Sequence, residues 1–378
     1  MEGAHRGVVG RWCPPRLCSS VLLCTLLLSA CSASTARTAS SGGALRWRFQ
    51  VPGSMVGVPA IANGVVYLGS SDDAFSALDA STGAVRWRVW LCSQRCAQPA
   101  IANGVVYLGS NISPTDGLFS ALDASTGAVR WQVQISESQV ATPVVANGVV
   151  YVGTTGGVVA LDSRTGALRW HSQPGSASFS RPVVANGVVY ADSEADQSVS
   201  ALDASTGAVR WRFTAPFPTA GEFPAAPTVE QGVVYAVFVH NGAFASPTSS
   251  IYALDATTGA VRWGVHDSKN AYSTPAVADG VIYLSALGRA VMALDARTGA
   301  VRWRFSTDVA SDAVPAVANG VVYAGFADGA VGALDAGTGA ERWRFQTDRA
   351  PPGGWLLLVV ANGTVYVSSG TSLYALSA

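Results

Sequence analysis

A tryptophan recurs along this 378-residue chain at Trp47, Trp87, Trp131, Trp170, Trp211, Trp263, Trp303 and Trp343, with gaps of 40, 44, 39, 41, 52, 40 and 40 residues. From Trp87 onward each closes a variant of one segment, written Ala-Leu-Asp-Ala-Ser-Thr-Gly-Ala-Val-Arg-Trp at residues 77–87. A period near 40 residues is that of a four-stranded propeller blade. Length alone suggests two or three domains, but a repeat that cannot bury its own apolar face demands one closed assembly of neighbours. The 40 Gly and the short Val-, Thr- and Tyr-rich runs between turn clusters read as strands, and no helical period competes with them.

Within a repeat the pattern predicts four strands, for example 99–102, 105–109, 118–122 and 128–133. Asn103-Gly104 supplies positive φ for the first turn, and residues 123–127 make the third connection with Asp and Gly. Equivalent pairs occur in all eight repeats, with Gln231-Gly232 the one departure from Asn/Asp-Gly. The parts do not divide evenly. The last repeat stops after its third strand at residues 373–378, while residues 44–50 form an outermost strand with no predecessors. Pairing the two predicts an all-β, eight-bladed β-propeller of four-stranded antiparallel blades over residues 44–378, closed by its N-terminal strand on the C-terminal blade.

The N-terminus is of another kind. Arg6, Arg11 and Arg16 precede an apolar stretch at residues 17–28, too short to span a bilayer and fitting a signal-peptide core. It ends Leu28-Ser29-Ala30-Cys31, which resembles the lipobox of bacterial lipoproteins. The resemblance implies removal of residues 1–30, acylation of Cys31 and a membrane anchored by several chains. Residues 31–43 then read as the lipidated Cys and a flexible tether. Of six Cys, only Cys92 and Cys96 remain, and outside the cytoplasm such a pair is expected to form a disulfide contributing about 2 kcal/mol. Loss of three Arg and one Glu with residues 1–30 leaves 21 basic against 23 acidic residues. A net charge of −2 without a basic run points away from nucleic acid as a partner.

The Ala-x-Asp-x-x-Thr-Gly-x-x-x-Trp pattern is similar to the tryptophan-docking motif of the PQQ-repeat (quinoprotein-like) β-propellers, over residues 44–378. The resemblance makes the eight Trp, and Asp79, Asp123, Asp162, Asp203, Asp255, Asp295 and Asp335, structural, each indole lying flat in a slot that Ala and Gly keep open. Propellers with this repeat include quinone-dependent alcohol dehydrogenases, whose cofactor stacks on a disulfide between adjacent Cys beside a bound calcium. Here no two Cys are adjacent. Exported, lipid-tethered and of this length, the chain resembles the BamB-like lipoproteins of the outer-membrane β-barrel assembly machinery. That likeness implies a non-enzymatic scaffold without cofactor or metal, monomeric on its own, in the cell membrane or outer membrane and facing periplasm or cell exterior.

Antiparallel order puts the first and third connections of every blade on one face, where they are short and nearly identical. The second connection and the crossover lie on the other, where both vary. Variable loops on a repeated scaffold carry specificity. Residues 214–224 and 239–249 account for the 52-residue gap, and with Trp90, the Cys92–Cys96 loop, Phe179, Tyr272 and Trp355 they predict an aromatic, Pro-rich docking surface. Phe217, Phe223, Phe244 and Trp355 are the candidate partner contacts. His240 and His266 map near the same face but lack a third ligand, and no nucleophile triad or phosphate loop is present. The competing reading is a propeller that binds a small molecule, a quinone or sugar, in its axial channel.

Overall fold

The computed structural model describes residues 42–51, 57–91, 96–111, 113, 115–137, 141–175, 181–193, 196–216, 222–240, 248–286, 289–311, 313–348 and 356–378. The signal segment, Cys31, Cys92, Phe179, Phe217, Phe244 and Trp355 lie outside the described residues. All regular structure in the described part is β. Thirty-two strands form eight four-stranded antiparallel sheets, and the innermost strands of successive sheets lie side by side around an axis. This is the eight-bladed propeller expected from the Trp period.

The second blade shows how sequence sets each strand. Its strands are Ala100–Ala102, Val105–Asn111, Gly117–Asp123 and Val129–Ile135. The first turn has Asn103 at φ 50° and Gly104 at φ 71°, both left-handed. The matching turn of the fifth blade has Gln231 at φ 47°, so the departure from Asn keeps the conformation. The second and third strands of every blade are buried along almost their whole length, because a neighbouring blade covers each face. They therefore read as continuous apolar runs, Val-Val-Tyr-Leu and Phe-Ser-Ala-Leu, instead of alternating.

Ring closure follows the expected strand pairing. Leu45–Gln50 lies antiparallel to Ser372–Ser377, with Trp47 opposite Ala375 and Gln50 opposite Ser372, completing the blade whose other strands are Leu357–Ala361 and Thr364–Ser369. The ring begins slightly earlier than residue 44. Gly43 N–H donates to Ser377 O at 2.7 Å, and Gly42 and Gly43 both lie against the Trp343 indole.

Each outer strand also carries a bulge that the sequence pattern did not announce. The residue skipped in the ladder is the motif Arg, as where Leu78 faces Val85 while Ala77 faces Trp87. The extra residue re-aims the strand so that Trp87 turns into the interblade space while Arg86 returns to Asp79.

Candidate functional site

One face of the ring is locked by repetition. In every blade an amide of the third connection donates to the Gly carbonyl of the first, as Ala124 to Gly104 at 3.0 Å and Ala378 to Gly363 at 3.1 Å. Asp79 Oδ1 accepts the amides of Ser81 and Thr82, and Arg86 donates to Oδ2 at 2.7 Å. The same Arg–Asp pair recurs at Asp123, Asp162, Asp203, Asp255, Asp295 and Asp335. These bonds hold the seven carboxyls below the usual carboxylate range. Ser81 and then Arg86 lead at Asp79, whereas the guanidinium leads at Asp162, Asp203, Asp255, Asp295 and Asp335.

Seven of the eight Trp tie a blade to its neighbour. Their indole N–H groups donate to the carbonyls of Ala80, Ala124, Ser163, Ala204, Ala256, Ala296 and Ala336 at 2.9 to 3.1 Å. The slot depends on glycine: a Cβ on Gly83 would sit 2.6 Å from the Trp47 ring. Sequence reasoning missed the second member of this clamp. Tyr67, Tyr107, Tyr151, Tyr190, Tyr235, Tyr283 and Tyr366 each donate a hydroxyl to the same acceptor carbonyls. The Tyr of each Val-Val-Tyr run was the signal, since a fully apolar run has no other use for a hydroxyl. Each Tyr ring also lies within about 6 Å of its blade's Trp, as Tyr67 does from Trp87 at 6.0 Å.

The opposite face lacks this uniformity. Phe223 lies on the strand Glu222–Glu230, its backbone opposite Val239, with its side chain outside the described set. Trp90 is 69% exposed at the end of its outer strand, with the Arg88 guanidinium 5.8 Å from its ring centre. Cys96 is disulfide-bonded and bridges to Ser110. Tyr272 corrects the sequence reading: it is buried, not part of an exposed aromatic surface. Its hydroxyl donates to Asp267, its amide donates to Ser249 Oγ at 2.9 Å, and it pairs with Ala286. Burial and the Asp267 carboxylate push its phenol pKa up. His266 Nδ1 is 3.1 Å from Ser250 Oγ, and His171 is 3.3 Å from Glu137. Among the described residues no three His, Cys, Asp or Glu come together as a metal site.

Two cavities of about 440 Å³ each open on the ring. One sits on the locked face between the fifth and sixth blades, where its Arg262 and Arg302 are already paired with Asp255 and Asp295. The other lies on the axis among the innermost strands, with Leu356 to Val360 forming one wall and Gln98, Arg181 and Thr274 contributing polar groups.

Comparison with known proteins bears on this geometry. Residues 32–195, 158–246 and 195–378 match the model of the PQQ-repeat family described as outer membrane protein assembly factor BamB. No curated protein matches the sequence. Among solved structures, the chain is similar to the computationally designed Ika8 protein, at 14% identity and a TM-score of 0.73 over 89% of this chain and 100% of that one. It is similar to BamB from Moraxella catarrhalis at 22% identity and a TM-score of 0.70, over 88% and 98%. It is also similar to the quinohemoprotein alcohol dehydrogenase ADHIIG from Pseudomonas putida HK5, at 16% identity and a TM-score of 0.64 over 88% and 76%. At these identities the structural likenesses establish the fold alone.

Proposed function

The chain belongs to the PQQ-repeat propeller family described as outer membrane protein assembly factor BamB, and on that premise we propose that it is a non-enzymatic scaffold of the cell envelope, exported by residues 1–30, anchored through lipid on Cys31, and holding a protein partner against its variable-loop face. The observation that carries the reading is the contrast between the two faces. Eight near-identical turns, stapled by the same backbone bonds, leave one face no means of discriminating between partners. Specificity must then come from the loops that differ, with Phe217, Phe223, Phe244 and Trp355 as contacts and the Cys92–Cys96 loop as a further member of the set. The dehydrogenase arrangement does not fit these residues: no two Cys are adjacent, and no described cluster of three ligating side chains is present.

Photo-crosslinking in native membranes tests the reading, with probes at Phe217, Phe244 and Trp355 and a control at Leu168, which is 63% exposed on an outer strand at the locked face. A recurrent protein adduct from the loop probes, missing from Leu168, is the expected outcome. Adducts no stronger than the control would remove the scaffold reading. In the same cells Cys31→Ser should move the protein from the membrane to the soluble fraction.

A further inference from the structure

The repeat permits a comparison around the axial channel that no single blade reveals. Seven blades carry a Pro four residues before the turn residue, at the entry of the innermost strand except in blade five, where Pro227 lies within the strand Glu222–Glu230, and the eighth has Leu358 there. The residue before that position lines the axial cavity in every blade but the third. In blade order one to four it is Val58, Gln98, Thr142 and Arg181; in blades five to eight it is Ala226, Thr274, Val314 and Leu357. One position in eight is charged. Closure of the ring places blade eight diametrically opposite blade four, so Arg181 faces Leu357, which Val314 and Val58 flank on either side. The other half of the circle holds Gln98, Thr142, Ala226 and Thr274, with Thr142 and Ala226 on either side of Arg181. One side of the channel is therefore apolar, and the other carries the polar side chains Gln98, Thr142 and Thr274 around a single guanidinium, with Ala226 among them.

Arg181 is reached by water in the channel and forms no ion pair with any described residue, unlike the Arg of the locked face. The surrounding protein nevertheless strips enough water from the guanidinium to draw its pKa down. Arg181 stands exposed to the channel, and the planar fork of its guanidinium matches a carboxylate with two parallel hydrogen bonds. The cavity volume of about 440 Å³ lies within the range of small-ligand sites. We propose that the axial channel binds a small amphipathic monocarboxylate, its carboxylate on Arg181 with Gln98 or Thr274 beside it, and its apolar body against Val58, Val314 and Leu357.

The site is independent of the loop-face scaffold reading, and either can fail without the other. Titration calorimetry on the full-length protein in detergent, with octanoate as probe, tests it. Octanoate should bind one per chain, and Arg181→Gln should weaken binding roughly tenfold or more, as loss of a charge-assisted pair does. Arg181→Lys should retain part of the affinity. Ligand-free Arg181→Gln should melt close to the wild-type temperature, as a substitution at an exposed position does, which separates loss of a ligand from loss of the fold. 1-Octanol, with the same tail and no charge, should show no dependence on residue 181. Absence of octanoate binding at millimolar concentration, or equal binding by Arg181→Gln, would overturn the site. Inorganic sulfate binding as tightly as octanoate would overturn the amphipathic assignment.

Discussion

Seven blades are built from one continuous run of chain, and the eighth joins a strand from residues 45–50 to three strands from residues 357–377. The backbone does not register the difference. Gly43 N–H donates to Ser377 O at 2.7 Å as Gly83 N–H donates to Asp79 O at 2.8 Å, and Ser377 N–H donates to Ala44 O at 2.9 Å as Asp79 N–H donates to Ala84 O at 2.8 Å. The side chains do register it. Ser377 stands where the motif has Asp, accepting the Ala44 amide through Oγ at 2.9 Å, while Arg46, deprived of a carboxylate, donates to Thr364 Oγ1 and Gly363 O. Trp343, docking on this composite blade, lies against Gly42 and Gly43 and donates its indole N–H to no described carbonyl, whereas the other seven Trp all donate. The comparison teaches that the joint is held by strand pairing and aromatic burial, and that the ion pair of the continuous blades is an addition to a fold that closes without it.

The largest expected effect comes from removing the joint. Deletion of residues 42–50 takes away the dock of Trp343, the Trp47 that lies against Gly83, and the partner of Ser372–Ser377, leaving an unpaired edge strand. The truncated chain should lose the cooperative melt of the full ring and aggregate, as read by calorimetry and size-exclusion chromatography. An unchanged melting temperature would show that the composite blade does not close the ring. Single indoles rank next. Trp303→Ala should cost about 3–5 kcal/mol in denaturant unfolding, the usual range for a large buried aromatic, because Trp303 is 8% exposed and donates to Ala336 O. Trp343→Ala should cost measurably less, since its indole is only half-buried. Equal costs would show that the deeper burial adds nothing.

The sequence exposed the ring, its blade count and its closure because the Trp, Asp and Gly of each repeat answer to one geometric demand eight times over. The bulge at Arg86 and its equivalents was not legible, since an extra residue in an outer strand leaves the Trp spacing intact. Nor was the Tyr hydroxyl clamp, whose acceptor belongs to the next blade. The site was less legible than the scaffold. Tyr272 reads as a loop aromatic between two strands, yet the bridge to Ala286 and the Ser249 hydroxyl fold it into the core. Arg181 escaped notice among Arg residues that the motif explains, although aligning the residue before each repeated Pro isolates it at once. Loops that differ in every blade offer no such internal alignment, so composition can nominate Phe217 or Trp355 but cannot orient either.

Acid should separate the two kinds of blade more gently. The seven motif carboxyls have folded pKa values below their unfolded values of about 3.9. Their contribution to stability is therefore complete above that pH and is lost as pH falls through the lowered values, about 2 at Asp255, Asp295 and Asp335. Ser377 has nothing to titrate in that window. Between pH 4 and pH 2 the hydrogen-exchange protection of the Gly83 amide should fall relative to that of Gly43. Parallel loss at both would assign the acid response to the ring as a whole and not to the Arg–Asp pairs.

The smallest effect is the most direct test of what the composite blade lacks. Ser377→Asp restores the motif opposite Arg46, and an Asp oxygen can accept the Ala44 amide as Asp79 accepts those of Ser81 and Thr82. The new pair is solvent-exposed, so the gain should be about 0.2–1 kcal/mol, a rise of a degree or so in melting temperature, and it should shrink at high salt. Arg46 must give up Thr364 and Gly363 to make the pair, which keeps the gain toward the lower end. The control is a double-mutant cycle with Arg46→Gln, in which the benefit of Ser377→Asp should vanish if charge pairing is its origin. A benefit that survives in the Arg46→Gln background would mean that Asp acts by capping the turn amides alone. The Arg–Asp pair repeated in the continuous blades would then owe its place to turn geometry and not to electrostatics.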